Sequence, residues 1–440
     1  MRSSSRVDPA SFRSPPRSKR NCRPCTRIRV ASQTQRRRSQ TYALTLPAPA
    51  RPRTMLATPL QLGPVRLESN LLLAPIAGWC DLAWRTTVRS LGGVGLACTD
   101  LLSPQGLLCG SEASIDLART NDFDKPIGMQ LYGSDPALLA DGARWCADHG
   151  ATVVDINMGC PVDKICKKDG GSKLMCIPDT AERVVEAVRA ALPTHIPLTA
   201  KMRLGWTEED AADNAAGRLS CRLIAAGVCA VTIHGRTTEQ RFKGRCRREG
   251  IRRVVEAVAE RFGRYDGTTS GGPPVIGNGD IREPHDVVDM IQETGCAGVM
   301  IGRGAFAMPW IFAAAWAEQS SRAGFQPAEE PSDCSGTGFQ PVNLYSPPTE
   351  PEKLQILRTY FNLMRQHRDD RYAMFRIRQK ISWLGKNINN SHCHALKESV
   401  RLATTPAEVH AAIDAWETDM PAPEAQGSPP LPPVARAPRP

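Results

Sequence analysis

The feature that most constrains this chain is a repeat of short apolar runs, each followed by a turn and a helical stretch. Eight such runs follow residue 69: Leu71–Ile76, Gly95–Thr99, Ile127–Leu131, Thr152–Ile156, Leu198–Met202, Ala230–Ile233, Val275–Gly277 and Gly298–Ile301. Segments of helical character, such as Thr180–Leu192 and Gly250–Arg261, fall between them. This alternation is the pattern of βα units. The runs show little polar alternation, as expected of parallel strands buried on both faces. Eight of them over about 250 residues match the size of a (β/α)8 barrel. The expectation is an α/β fold, a TIM barrel over residues 55–318. An open doubly wound sheet is the alternative, but no G-x-G-x-x-G opens the first helix.

The flanking regions differ in composition. Residues 1–54 carry thirteen Arg and Lys19 against Asp8 alone, a net of +13 in a chain whose total is +11. The basic balance therefore belongs to this extension, and whole-chain charge is no argument for nucleic-acid binding by the folded part. An Arg- and Ser-rich segment with few apolar residues cannot bury a core and is expected to be disordered. It has the composition of a transit peptide, of an RNA-binding arm, or of upstream sequence translated ahead of a start at Met55. Residues 319–352 are rich in Ser, Pro and Glu, and Gly324-Phe325-Gln326-Pro327 recurs as Gly338-Phe339-Gln340-Pro341, which reads as a linker. Helical periodicity returns over 353–418. Leu354, Leu357, Phe361 and Met364 fall on one stripe, and Thr404 or Thr405 precedes Pro406 as the cap of a last helix over Ala407–Trp416. The barrel is thus followed by a small all-helical domain and a Pro-rich tail, 419–440.

Composition also excludes several classes. No apolar run approaches the roughly 20 residues of a membrane helix, and no secretory signal is visible. The 15 cysteines show no repeated pair spacing. Cys22-Arg-Pro-Cys25 lies in the extension, and His392-Cys393-His394 lacks a fourth ligand at zinc spacing. The expectation is a cytoplasmic protein with free thiols and no metal centre.

In such barrels the active site forms where strands end and βα loops begin. The polar residues expected there are Gln130, Asn157, Cys160, Lys201, Arg203, His234, Arg236, Asn278-Gly279-Asp280 and Gly302-Arg303-Gly304, beside Ala74-Pro75-Ile76-Ala77-Gly78. The loops after the seventh and eighth strands commonly bind phosphate through backbone N–H groups, and Arg303 could add a bidentate contact. A lysine within a buried run, Lys201, calls for an anionic or carbonyl partner, such as the electron-rich edge of a reduced flavin. Cys160 stands between Gly159 and Pro161 at a strand end, a loop setting rather than a core one. An ordinary thiol has a pKa near 8.5, so it is mostly protonated at neutral pH and can serve as a general acid. A buried structural cysteine and a nucleophile are the other readings; no His lies nearby in sequence to activate the latter.

Taken together, Leu73-Ala-Pro-Ile-Ala-Gly78, Asp155-Ile-Asn-Met-Gly-Cys-Pro161, Lys201-Met-Arg-Leu-Gly-Trp206, Thr232-Ile-His-Gly-Arg-Thr237, Gly277-Asn-Gly-Asp280 and Met300-Ile-Gly-Arg303 occur in one order. In them the chain resembles the tRNA-dihydrouridine synthases, most of all their broad bacterial branch, over residues 65–318 and 352–418. The resemblance implies FMN-dependent reduction of the C5=C6 bond of particular uridines in tRNA, with NADPH as reductant. It implies that Pro75, Ile76, Ala77, Gln130, Lys201, His234, Asn278, Gly279, Asp280, Gly302 and Arg303 hold FMN. It assigns Cys160 as the proton donor to C5 while hydride reaches C6. Asn157, Arg203 and Arg236 would face the substrate, and the helical domain would grip tRNA, with Arg376, Arg378, Lys380 and Lys386 as phosphate contacts. The protein is expected to be a monomer without an obligate protein partner.

Arg236, Arg241, Lys243, Arg245, Arg247 and Arg248, on the loop after the sixth strand, are a second candidate basic patch. Here the chain departs from the family, which continues with small and acidic residues after Lys243-Gly244. Two other functions remain open: a flavin barrel acting on a free small molecule of the dihydroorotate type, and a non-catalytic RNA-binding barrel.

Overall fold

A computed structural model describes residues 56–167, 169–323 and 345–419. The basic extension, Met55, Lys168, most of the linker and all of the tail but Asp419 lie outside these residues. All eight apolar runs are strands of one closed parallel barrel. Its strands are Leu71–Leu73, Leu96–Leu102, Ile127–Leu131, Val153–Met158, Leu198–Arg203, Ala230–His234, Val275–Asn278 and Gly298–Ile301. The ring closes where Val299, Met300 and Ile301 pair with Leu71, Leu72 and Leu73.

Side-chain alternation divides each strand between two environments. Val154, Ile156 and Met158 face outward and pack with helix residues such as Val184, Val185 and Val188. Val153, Asp155 and Asn157 occupy the alternate positions and point inward. The first strand is shorter than its apolar run because Pro75 has no N–H to continue the ladder. The second is longer, reaching Leu102 through a register shift between Cys98 and Leu101.

An antiparallel hairpin, Leu60–Leu62 with Val65–Leu67, precedes the barrel and was not expected from the sequence. Its Leu60, Leu62 and Leu67 are fully buried against Leu72, Leu96, Val153, Ala230 and Ile276, closing the N-terminal end of the barrel. Tyr265 Oη accepts a hydrogen bond from Gln61 N at 2.7 Å, so the long link before the seventh strand helps hold this plug.

Helix Ile311–Arg322 ends the barrel, and among the described residues the α-helices Glu350–His367, Asp370–Leu384, His394–Leu402 and Pro406–Thr418 follow. Thr349 and Glu352 form a reciprocal capping box on the first, and Thr405 caps the last by accepting from Glu408 N. Leu354, Leu357, Phe361 and Met364 are all buried, as their spacing predicts. They and the neighbouring helix face pack on barrel residues: Trp84 meets Tyr360 edge-on at 5.7 Å, and Trp79 meets Trp383 edge-on at 5.9 Å.

Candidate active site

A cavity of about 670 Å3 opens at the C-terminal end of the barrel, within the range of cofactor and small-ligand sites. Pro75, Ile76 and Ala77 form one wall, Asn157 and Cys160 another, and Lys201, Arg203 and His234 lie between them and the loops after the last two strands. Those loops bring Asn278, Gly279, Asp280, Gly302 and Arg303 to the same cavity.

The two loops are built to expose backbone N–H groups. Gly279 has φ +124° and Asp280 φ +52°, conformations that turn the chain sharply away from the strand. A Cβ at Gly304 would stand 2.3 Å from Ile281 O, so only glycine lets the loops approach each other. Among the described residues, the N–H groups of Gly279, Asp280, Gly302 and Arg303 make no hydrogen bond. Four convergent free donors with the Arg303 guanidinium suit an anion such as phosphate. Asp280 does not oppose this role from the centre of the site, because it is held aside. Its Oδ2 accepts from Arg236 Nη2 at 2.8 Å and from Cys246 N at 2.7 Å. Burial alone would raise its pKa, but these donors and the nearby guanidinium outweigh it and keep the carboxyl below the ordinary range.

Lys201 Nζ has no hydrogen bond or ion pair within the described residues, although it lines the cavity floor. Burial, reinforced by Arg203, pushes its pKa down to about 8, and Asp155 only partly restores it. A mostly buried cation without a partner is costly, so this one calls for an anionic or carbonyl ligand. His234 is held neutral: burial and the surrounding cations, Lys201 foremost, push its pKa well below the ordinary value. A phosphate-bearing cofactor with an electron-rich polar edge fits this donor set, its phosphate at the glycine loops and its edge at Lys201.

Cys160 is partly exposed to the cavity. Its N–H donates to Asn157 Oδ1 at 2.9 Å, and its carbonyl accepts from Ser172 N at 3.0 Å. Arg203 Nε binds the carbonyl of Gly159 at 2.7 Å and Nη1 those of Thr237 and Arg241, tying this loop to the one after the sixth strand. Burial raises the Cys160 pKa above its ordinary value. The thiol therefore keeps its proton at neutral pH, the state required of an acid and the wrong one for a nucleophile.

Several expected site residues lie elsewhere. Gln130 is fully buried behind the cavity wall, with Nε2 on Asp155 Oδ2 at 2.5 Å and Oε1 on Asn157 Nδ2 at 2.7 Å. It does not line the cavity, because its strand neighbours consume its amide. Arg236 is likewise buried and is spent on Asp280 and the carbonyls of Lys243 and Gly244. Arg376 and Lys380 are not on an exposed RNA-facing surface: they are 5% and 1% exposed. Arg376 Nη2 binds Asp81 Oδ2 at 2.5 Å, and Lys380 Nζ donates to Trp79 O at 2.8 Å over the rings of Trp79 and Trp84. Both seal the seam between helices and barrel. Arg378 is partly buried and donates to Ala403 O. Of the four, Lys386 alone is exposed and lines the cavity, its Nζ 3.6 Å from the centroid of Trp383. In the second patch, Arg247 pairs with Glu208 and Arg248 with Glu293 at 2.6 Å, whereas Arg241, Lys243 and Arg245 are exposed.

The dihydrouridine synthase (Dus) family model matches residues 72–418. The chain belongs to this family. It is 31% identical over 385 residues to a probable tRNA-dihydrouridine synthase of Mycobacterium tuberculosis, covering 84% of this chain and 90% of that protein. It is 34% identical over 254 residues to tRNA-dihydrouridine synthase B of Xanthomonas campestris pv. campestris, covering 58% and 70%. A probable tRNA-dihydrouridine synthase of Rhodobacter capsulatus shares 37% over 255 residues, covering 58% and 73%. Membership in the dihydrouridine synthase family makes the chain an oxidoreductase.

The family match spans both the barrel and the helical domain, and both contribute to the cavity. Trp383, Lys386 and Asn387 line it from the helical side, and Phe242, 58% exposed, from the loop after the sixth strand. Sequence reasoning missed Phe242, Trp383 and Asn387. Phe242 stands out as an apolar side chain among Arg241, Lys243 and Arg245, a signal that was available. Trp383 falls one position off the buried stripe Ile377, Ile381, Leu384, which on a helix places it at the edge of the packed face.

Proposed function

We propose that the chain reduces the C5=C6 bond of specific uridines in tRNA to 5,6-dihydrouridine, using FMN and NADPH. The observation that carries this reading is the joint presence, in one cavity, of a protonated thiol, an unpartnered lysine and two glycine loops with free N–H groups. A second observation supports tRNA over a free small molecule: the helical domain completes the cavity rim with Trp383 and Lys386. A flavin barrel acting on a small molecule would not require that second domain.

The loops at Gly279–Asp280 and Gly302–Arg303 would hold the FMN phosphate, and Lys201 the polar edge of the ring. FMN bound there would supply a hydride, drawn from NADPH, for C6 of the uracil. Cys160 holds its proton at Sγ and gives it to C5, so the thiol becomes a thiolate that takes a proton back from solvent. Arg203 keeps the Cys160 loop in place. Asn157 lines the wall beside Cys160, where it can meet the flavin or the base edge. The uridine must leave its stack to enter the cavity. Lys386 and the exposed Arg241, Lys243 and Arg245 are placed for backbone phosphates, contacts that position RNA without reading its sequence. The protein acts as a cytoplasmic monomer.

The test is incubation of the full chain with NADPH and unmodified tRNA, followed by mapping of dihydrouridine by mass spectrometry. Dihydrouridine at defined positions is the expected result. A yellow protein that oxidises NADPH but leaves tRNA unchanged would overturn the tRNA assignment in favour of another flavin substrate.

A further inference from the structure

The proton donor does not stand alone: a row of buried polar side chains runs beneath it. Gln130, Asp155 and Thr199 are direct neighbours on three adjacent strands, Gln130 opposite Asp155 and Asp155 opposite Thr199. Asn157, two residues beyond Asp155, points the same way one layer nearer the cavity. All four are at most 6% exposed.

The sense of each hydrogen bond in this row follows from its first member. Burial raises the Asp155 pKa, but Gln130 Nε2 can only donate, so Oδ2 accepts from it whether or not Oδ1 carries a proton. Asp155 Oδ1 accepts from Thr199 Oγ1 at 2.5 Å, and Oδ2 accepts from Gln130 Nε2 at 2.5 Å. The Gln130 amide is thereby turned so that Oε1 faces Asn157 and accepts from its Nδ2 at 2.7 Å. Asn157 in turn presents Oδ1 to the loop, where it accepts from Gly159 N at 3.2 Å and Cys160 N at 2.9 Å. Reversing any amide would set donor against donor in a buried site, which costs the desolvation of both groups.

We propose that Asp155 fixes the orientation of Gln130 and Asn157, and through them the Cys160 loop, so that Asp155 and Gln130 are positioning residues for the proton donor. The role in dihydrouridine formation rests on the function proposed above; the control of the loop does not.

Asp155→Leu removes the acceptor that holds Gln130 Nε2, so the Gln130 and Asn157 amides lose their fixed sense and the loop N–H groups their acceptor. Asp155→Asn is the conservative control: its Oδ1 can accept from Gln130 Nε2 while its Nδ2 donates to Thr199 Oγ1, whose hydroxyl turns to accept. Two readouts separate the claims. The first is the alkylation rate of Cys160 by iodoacetamide, followed on its own peptide by mass spectrometry, which needs neither flavin nor tRNA. It is expected to rise at least about fivefold in Asp155→Leu and to stay near the parent value in Asp155→Asn. The second is tRNA turnover: kcat for dihydrouridine is expected to fall about tenfold or more, as for other misplaced catalytic groups. KM for tRNA and flavin reduction by NADPH should stay within about twofold, a split that a general loss of structure would not give.

Should Asp155→Leu not accumulate as folded protein, Gln130→Met cuts the same row while keeping its bulk, and is expected to raise Cys160 alkylation likewise. An alkylation rate within twofold of the parent in the folded Asp155→Leu or Gln130→Met variant, or an equal rise in Asp155→Asn, overturns the proposal. If alkylation behaves as expected but even the parent makes no dihydrouridine, the positioning row stands and the tRNA reading falls.

Discussion

Two lysines stand at two kinds of place, the partly buried Lys201 at the cavity and the fully buried Lys380 in the seam between barrel and helices. Lys201 and Lys380 are both pushed down to about 8 by burial. Among the described residues Lys201 lacks a partner. Lys380 is surrounded: a carbonyl at 2.8 Å, the rings of Trp79 and Trp84, and the field of Asp81, which Arg376 also binds. The same residue type is thus left without a partner in one region, where the proposed cofactor would meet it, and is a structural tie in the other. Burial of a charge does not mark function; a buried charge left without a counterpart does.

Predictions that break or sharpen this contrast run from large to small. Cys160→Ala should lose about 10²–10⁴-fold in dihydrouridine formation, the range for general acids. Bound flavin and its reduction by NADPH should be retained, as read by absorbance at single turnover. Full turnover would remove the acid role from the cavity.

At the seam, Arg376→Ala should lower unfolding stability by about 3–5 kcal/mol, because it leaves Asp81 buried with half its counter-charge. Urea denaturation checks this, and a change below about 1 kcal/mol would mean the seam is wet rather than sealed.

Lys201→Met should behave in the opposite way. In cofactor-free protein it should be neutral or stabilising, while FMN retention, read by equilibrium dialysis, falls about tenfold, the loss of one charge-assisted contact. The pH dependence has a definite sign. The Lys201 pKa is about 8 when folded against 10.5 ordinarily. Between these values the unfolded chain binds the extra proton, so this residue's contribution to stability rises with pH across that window. The stability difference between parent and Lys201→Met should therefore move in the parent's favour from pH 7.5 to pH 10. Movement the other way would mean that Lys201 has a partner after all. Phe375→Ser, at a 53% exposed position on a seam helix, should change stability by no more than about 0.5 kcal/mol.

How much of this was legible varied by level. The eight strands were, because parallel strands buried on both faces leave continuous apolar runs with turns between them. Most cavity residues were also legible, since in a (β/α)8 barrel strand ends converge and a polar residue just past a run has few other places to go. The N-terminal hairpin was not: its strands are three residues each, too short for a periodic signal. The resemblance assigned Arg376 and Lys380 to phosphate contacts, and no local pattern placed either in its partner's reach.

The sequence by itself determined the barrel, the stripes of the helical domain and the loop chemistry around Cys160, Gly279 and Gly302, because each is encoded within a few neighbouring residues. Tertiary structure alone decided which charges are free. Arg376 meets Asp81 across 295 positions of chain, and Gln130 meets Asp155 and Asn157 only through the register of adjacent strands. Pairing depends on distance in space, and at such separations no local pattern carries it.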